Sequence, residues 1–232
     1  VGASSGIGKS LHQTLAEDGY RVGLAARRLS LLLDLQHEIG NQTLVKQIDV
    51  SNISDAILRF SELIQEMDGV DLIIISAGTG FMNPELDWDK ENETIAVNVT
   101  GFAAIANVAI HYFLKNGAGH LVNISSIAAI RGSGSAPAYN ASKAFESIYM
   151  DGLRNKIAKL DVPITITDIQ PGFVDTAMAQ GEGLFWVASP EQAAKQIYQT
   201  IRGKKKHAYI TKRWRLIAWL LRFTPDSIYH RF

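Results

Sequence analysis

Cysteine is absent from the sequence, so disulfides and thiolate chemistry are excluded, and a reducing cytoplasm is permitted as its setting. No uninterrupted apolar run approaches the ~20 residues that span a bilayer, and no signal peptide is read at the start. The six histidines are scattered without ligand spacing, so no metal site is expected, and no nucleic-acid site is read. Internal repeats, low-complexity tracts and linkers are missing as well. Net charge is zero, but it is unevenly distributed. Residues 202–232 hold nine Lys and Arg against one acid, a net of +8, and residues 1–201 hold 14 against 22, a net of −8. What is plentiful is apolar content: 47% of 232 residues, enough for one globular domain with a full core.

Strand and helix patterns alternate along the chain. Residues 21–26, 44–48 and 70–75 read as strands, the last a continuous apolar run of the kind buried on both faces of a parallel sheet. Residues 119–125 and 164–169 supply later strands. Residues 54–67 read as a helix with Ile57, Phe60, Leu63, Ile64 and Met67 on one side, and residues 94–114 and 138–159 as two long helices. Ser189-Pro190-Glu191-Gln192 is a capping box with proline at the first helical position. This order predicts an α/β fold: a single-domain, doubly wound parallel sheet of Rossmann type, helices on both faces, ligands at the carboxyl ends of the strands.

Two motifs carry chemistry. Gly2-Ala3-Ser4-Ser5-Gly6-Ile7-Gly8 opens a helix whose apolar positions Ile7, Leu11 and Leu15 recur every four residues, up to a C-cap near Gly19. A glycine turn feeding a helix N-terminus lets backbone N–H groups approach a diphosphate, although such turns also serve as plain tight turns. A strand should precede it, so the first strand reads as truncated, with residues expected upstream of Val1. In the second motif, Tyr139 and Lys143 stand four apart and would share one helix face, with Ser126 thirteen residues before the tyrosine. A phenol beside a cation ionises more easily and so becomes a usable acid and base. Alone, the pair also describes a solvated helix face.

The glycine spacing with Ser126, Tyr139 and Lys143 in this order resembles the short-chain dehydrogenase/reductase family, from Gly2 to about Ile210. Further stretches match in register: Asp49-Val50, Ser76-Ala77-Gly78, Asn98 in Val97-Asn98-Val99-Thr100-Gly101, and Pro171-Gly172-Phe173-Val174-Asp175-Thr176. Two positions depart from the family pattern. Val1 stands where threonine is usual, and Ile75-Ser76-Ala77-Gly78 where Asn-Asn-Ala-Gly is usual; both concern bracing hydrogen bonds worth about 1 kcal/mol each.

The resemblance implies an oxidoreductase that moves a hydride between a nicotinamide and a carbonyl or secondary alcohol. Ser126 would hold the substrate oxygen, Tyr139 would transfer the proton, Lys143 would tune the tyrosine and hold the nicotinamide ribose, and Asn98 would support a water path. Ser125 competes for the serine role, and the family's usual interval of thirteen selects Ser126. Cofactor contacts are carried over to Gly2, Ser4, Ser5, Gly6, Ile7, Gly8, Asp49, Val50, Ala77, Gly78, Pro171, Gly172, Val174 and Thr176, beside Tyr139 and Lys143. At the end of the second strand, where an acid would select NAD, stand Ala26, Arg27 and Arg28. Two guanidinium groups suit a 2′-phosphate, so NADP(H) is expected, with Arg27 its principal contact; otherwise both arginines point to solvent. A catalytically silent nucleotide-binding regulator or scaffold on the same fold is the alternative function.

Residues 1–210 are thus expected to form the NADP-binding Rossmann domain with the catalytic site, and 211–232 a basic, aromatic amphipathic helix and tail. That tail has two readings. It packs its tryptophans against the body or another subunit, in keeping with a homodimer or homotetramer, or it makes a peripheral membrane contact from an otherwise cytoplasmic protein. Residues 176–188 should shape the substrate pocket, with 181–188 as its lid.

Overall fold

The computed structural model describes residues 1–40, 43–179 and 183–229. Parallel strands β1 (Gly23–Ala26) and β2 (Leu44–Gln47) form one pair. Strands β3 (Leu72–Ile75), β4 (Gly119–Ile124), β5 (Ile164–Pro171) and β6 (His207–Ile210) form a second parallel sheet in that order. Val1 and Gly2 join the two. The Val1 amine donates to Ile74 O at 2.7 Å, Ser76 N donates to Val1 O at 2.9 Å, and Gly2 N donates to Ala25 O at 2.8 Å. They occupy the position expected for a strand ahead of the glycine turn.

The continuous apolar runs follow from a sheet covered on both faces. Ile73 and Ile75 enter one core with Leu121 and Ile166, while Ile74 enters the other with Val122 and Ile169. Side chains alternate across a strand, so a strand with two buried faces must be apolar at every position. Helix α1 (Gly6–Glu17), α2 (Leu29–Ile39) and, later in the chain, α7 (Pro190–Arg202) bear on the second core through Leu11, Leu32 and Ile197. Helix α1 stops where expected, with Gly19 at φ +84° beyond its end. Before α7, Ser189 Oγ accepts from Gln192 N at 3.2 Å, half of the expected capping box.

The first core holds α3 (Ile53–Glu66), α5 (Phe102–Asn116) and α6 (Pro137–Ala158). Ile57, expected on the buried side of α3, is 39% exposed, and Ala56 takes the core position. The helix expected at 94–114 starts earlier, as α4 (Trp88–Ile95), and runs through a π-helical turn (Ala96–Gly101) into α5. Its first turns are polar and lack an apolar period, but Asp87 caps them by accepting from Asp89 N at 3.0 Å. The described residues end with α8 (Trp214–Phe223) and the short α9 (Asp226–Tyr229).

Candidate active site

Parallel strands align their carboxyl ends, and here those ends open into one cleft of about 440 Å³. At one end lies the glycine turn. A Cβ at Gly2 would fall 2.3 Å from Ala77 N and one at Gly8 2.1 Å from Gly2 O, so only glycine lets the turn fold this tightly. Ser5, at the N-cap of α1, makes no side-chain cap bond. The first N–H groups of α1 are thus left for an anion in the cleft, at the positive end of the helix dipole.

Ala26, Arg27 and Arg28 line the same end. Successive residues leaving a strand point to opposite sides, and the two guanidinium groups diverge accordingly. Arg28 Nη2 donates to Ser4 Oγ and Ser5 Oγ, both at 2.9 Å, and so closes over the glycine turn. Arg27 Nη1 lies 3.8 Å from Glu93 Oε1.

At the other end β4 delivers Ser125 and Ser126. Ser125 Oγ is 2.7 Å from Asp168 Oδ1 and 3.0 Å from Ile169 O, donating into the protein interior. Ser126 Oγ accepts from Ala128 N at 3.1 Å, which leaves its hydroxyl hydrogen for the cleft. Tyr139 and Lys143 both reach the cleft from α6. The Lys143 ammonium is buried, donating to Glu146 Oε1 at 2.8 Å and Oε2 at 3.0 Å, with Ile124 O at 3.4 Å. Burial pulls its pKa down, but the Glu146 carboxylate, with Tyr139 and Asp168, outweighs this and holds it above the usual lysine value. Burial pushes the Glu146 carboxyl up to about 7, against the pull of Lys143 and Asn123.

Asn98 is fully buried behind this group, on the π-helical turn. Its Oδ1 accepts from Thr79 N at 2.8 Å, and its Nδ2 donates to Thr79 O at 2.7 Å and Ser142 Oγ at 3.0 Å. A π turn is a rare insertion that re-aims side chains, often at functional sites.

The structure brings nearly all the residues singled out in the sequence to this cleft. Gly2, Ser4, Ser5, Gly6, Ile7, Gly8, Arg27, Val50, Ala77, Gly78, Ser126, Tyr139, Lys143, Pro171, Gly172, Val174 and Thr176 line it. Asn98 stands behind it. Asp49 does not line it: its Oδ1 accepts from Ser51 N at 3.0 Å and Ser51 Oγ at 2.7 Å, where it braces the turn into α3. Of the expected lid, residues 181 and 182 lie outside the described residues.

Residues 1–184 match the sequence model for short chain dehydrogenases. The chain belongs to the short chain dehydrogenase family. It is 37% identical over 183 residues to an uncharacterized oxidoreductase of Myxococcus xanthus (strain DK1622), covering 77% of this chain and 72% of the relative. An uncharacterized oxidoreductase of Staphylococcus aureus (strain USA300) is 33% identical over 183 residues, covering 77% and 78%. In fold it is similar to a short-chain dehydrogenase from Streptomyces avermitilis, with TM-score 0.80, 20% identity and coverage of 95% and 89%. A closed form of serine dehydrogenase complexed with NADP+ superposes with TM-score 0.77, 22% identity and 86% coverage of both chains.

Two residues of this short chain dehydrogenase's site, Glu146 and Asp168, were not singled out by the sequence. Glu146 carried a usable signal, since it follows Lys143 by three residues on one helix face. Asp168 gave none. It accepts from Ser125 Oγ at 2.7 Å, Ser147 Oγ at 2.8 Å and, more distantly, Asn123 Nδ2 at 3.4 Å, a buried polar layer beneath Lys143.

Proposed function

We propose that the protein is an NADP(H)-dependent reductase or dehydrogenase acting between a carbonyl and a secondary alcohol, with Tyr139 as its acid and base. The observation that carries this reading is that Ser126, Tyr139 and Lys143 line the same cleft as the uncapped start of α1. The residues fit a phosphorylated dinucleotide. The glycine cradle would be filled by any Cβ, the α1 N-terminus can receive a diphosphate, and Arg27 and Arg28 beside it suit a 2′-phosphate. The similar serine dehydrogenase, solved with NADP+, lends further support.

Bound NADP(H) supplies or accepts the hydride at the carbonyl carbon. Ser126 donates a hydrogen bond to the substrate oxygen, where negative charge grows during reduction. Tyr139 gives that oxygen its proton in reduction and removes it in oxidation. Lys143 sets a positive charge near Tyr139 and offers its donors to the ribose hydroxyls, so one side chain serves both position and charge. Asn98 fixes the loop at Thr79, and through Ser142 the helix that presents Tyr139. The substrate is a small or moderately hydrophobic carbonyl or alcohol, since Phe81, Met82, Phe173 and Met178 also line the cleft. Assembly into a dimer or tetramer would cover apolar side chains left exposed on α4 and α6, notably Trp88 and Ile148.

The test is a panel of steroids, long-chain aldehydes, quinones and simple alcohols, followed by NADPH absorbance. On any active substrate, Tyr139→Phe should lower kcat by at least ~10²-fold, the scale of general acid catalysis, with NADPH affinity kept. A phenylalanine variant with full turnover would falsify the assignment.

A further inference from the structure

Helix α8 is apolar on two opposite sides. Its inner side, Trp214 and Ala218, is buried against Ile127, with Phe173 and Tyr209 packed alongside. Its outer side carries Leu216, Trp219, Leu220 and Phe223, each between 55% and 69% exposed. At 3.6 residues per turn these four fall within about a third of the circumference, and Arg215 and Arg222 form a ridge along one edge of them. The C-terminal packing expected from the sequence is therefore half met: Trp214 turns inward and Trp219 outward.

The segment is fixed, not loose. Arg131 donates to Leu221 O at 3.1 Å, to Thr224 O and to the Asp226 carboxylate, and its guanidinium lies 4.1 Å from the Tyr229 ring centroid. Arg222 acts electrostatically on both His207 and Tyr209 of β6. A second exposed apolar pair lies at the N-terminal end of α8. Phe185 and Trp186, 46% and 39% exposed, sit against Trp214, with Phe185 stacked on it at 5.2 Å, and Arg213 lies 5.2 Å over the Trp186 ring. Trp214 in turn presses on Gly172 of the cleft wall, where a Cβ would fall 2.0 Å from its ring.

We propose that the outer face of α8, with Phe185 and Trp186 at the N-terminal end of the helix, docks onto an anionic phospholipid surface with the mouth of the cleft beside the lipid. Charge selects this occupant. Residues 202–232 carry nine cationic side chains against one acid, which complements phosphate headgroups. A second copy meeting this face across a twofold axis would instead set Arg215 and Arg222 close to their own counterparts, like against like. Ten residues of helix span only ~15 Å, so α8 lies in the interface plane and does not cross the bilayer. If the reductase reading holds, a membrane-dissolved carbonyl or alcohol can then enter past Phe185 and Trp186 without crossing water. The docking itself is independent of that reading.

Co-sedimentation of the full chain with phosphatidylcholine vesicles, with and without one third phosphatidylglycerol, tests it without reference to turnover. Binding to the anionic vesicles should be clear at ~0.1 M salt and weaken toward ~1 M, as screening lengths fall from ~10 to ~3 Å. Trp219→Ser with Phe223→Ser changes only exposed side chains, so it should keep the wild-type melting curve and bind at least ~10-fold more weakly. Absence of binding to anionic vesicles at low salt overturns the proposal. So does equal binding by the double variant, or a double variant that turns a dimer into monomers while the wild type ignores vesicles.

Discussion

Gly80 backs the ring of Tyr139, and a single methyl group there should separate cofactor binding from catalysis. A Cβ at this position would fall 2.4 Å from Tyr139 Cδ2, 2.9 Å from Cε2 and 3.1 Å from Cγ. Carbon atoms in contact rest ~3.5–4.0 Å apart, so in Gly80→Ala the ring or the loop must give way by more than ~1 Å. The loop is the stiffer of the two. On one side of Gly80, Thr79 is bonded through both N–H and carbonyl to buried Asn98, and on the other Asn83 N donates to Ser135 O at 2.7 Å. Gly80 is not among the glycines with positive φ, so alanine adopts its backbone without strain. The displacement therefore falls on Tyr139, and a misplacement of ~1 Å can cost ~10²-fold in rate. We expect kcat to fall by that order, with a stability loss of ~1–3 kcal/mol from overpacking. NADPH affinity, which under the proposed reading rests on the glycine turn and Arg27, should change by less than about threefold. Steady-state kinetics on an active carbonyl, fluorescence titration with NADPH and a thermal melt together decide the matter. A folded variant with kcat within about threefold of wild type refutes the argument, as does a loss of NADPH affinity as large as the loss in kcat.

Two further predictions concern charge. Arg27→Ala should lower the ratio of NADPH to NADH efficiency ~10- to 100-fold, because a bond to a charged group contributes ~1.5–3 kcal/mol; an unchanged ratio with both cofactors would remove Arg27 from the 2′-phosphate site. Burial raises Glu146 from 4.5 to about 7, which at ~1.4 kcal/mol per pH unit amounts to ~3 kcal/mol. The folded value lies above the unfolded one, so this contribution is complete below about pH 4.5 and is lost as pH rises through about 7. Urea unfolding should therefore show wild type losing ~2–3 kcal/mol more than Glu146→Gln between about pH 5 and pH 8, and parallel pH dependences would show that Glu146 does not titrate there.

Much of the fold and the site was legible because the signals are local. Residues 70–75 read as a strand because both faces are covered, and Tyr139 and Lys143 read as a pair because four residues make about one helical turn. What escaped depended on burial or direction, which spacing alone does not encode. The sequence put Arg27 ahead of Arg28 as the 2′-phosphate contact, and only the divergence of their side chains puts Arg28 on Ser4 and Ser5. Asp49 matched the family pattern, yet its carboxylate turns to Ser51. In α8 the outer face is as apolar as the inner one, so the pattern could not tell Trp214, 2% exposed, from Trp219, 64% exposed.

The pairing of Lys143 with Glu146 has a consequence for how the site works. An ammonium has three protons to donate, and the two Glu146 oxygens and Ile124 O already lie within reach of them at 2.8, 3.0 and 3.4 Å. To hold ribose hydroxyls, Lys143 must therefore release at least one of these partners, and the Ile124 carbonyl is the most weakly held. Removing Glu146 instead would leave a buried, unpaired cation, a change that typically costs ~3–5 kcal/mol. Glu146 also stands apart from the other acid near the site, because Asp168 is already held by Ser125 and Ser147. Glu146 has Asn123 Nδ2 at 3.1 Å besides Lys143. A carboxylate so thinly held is kept ionised chiefly by the lysine, so any contact that draws Lys143 toward the cleft raises the proton affinity of Glu146. The occupancy of the cleft and the charge of this buried pair are thereby linked through a single side chain.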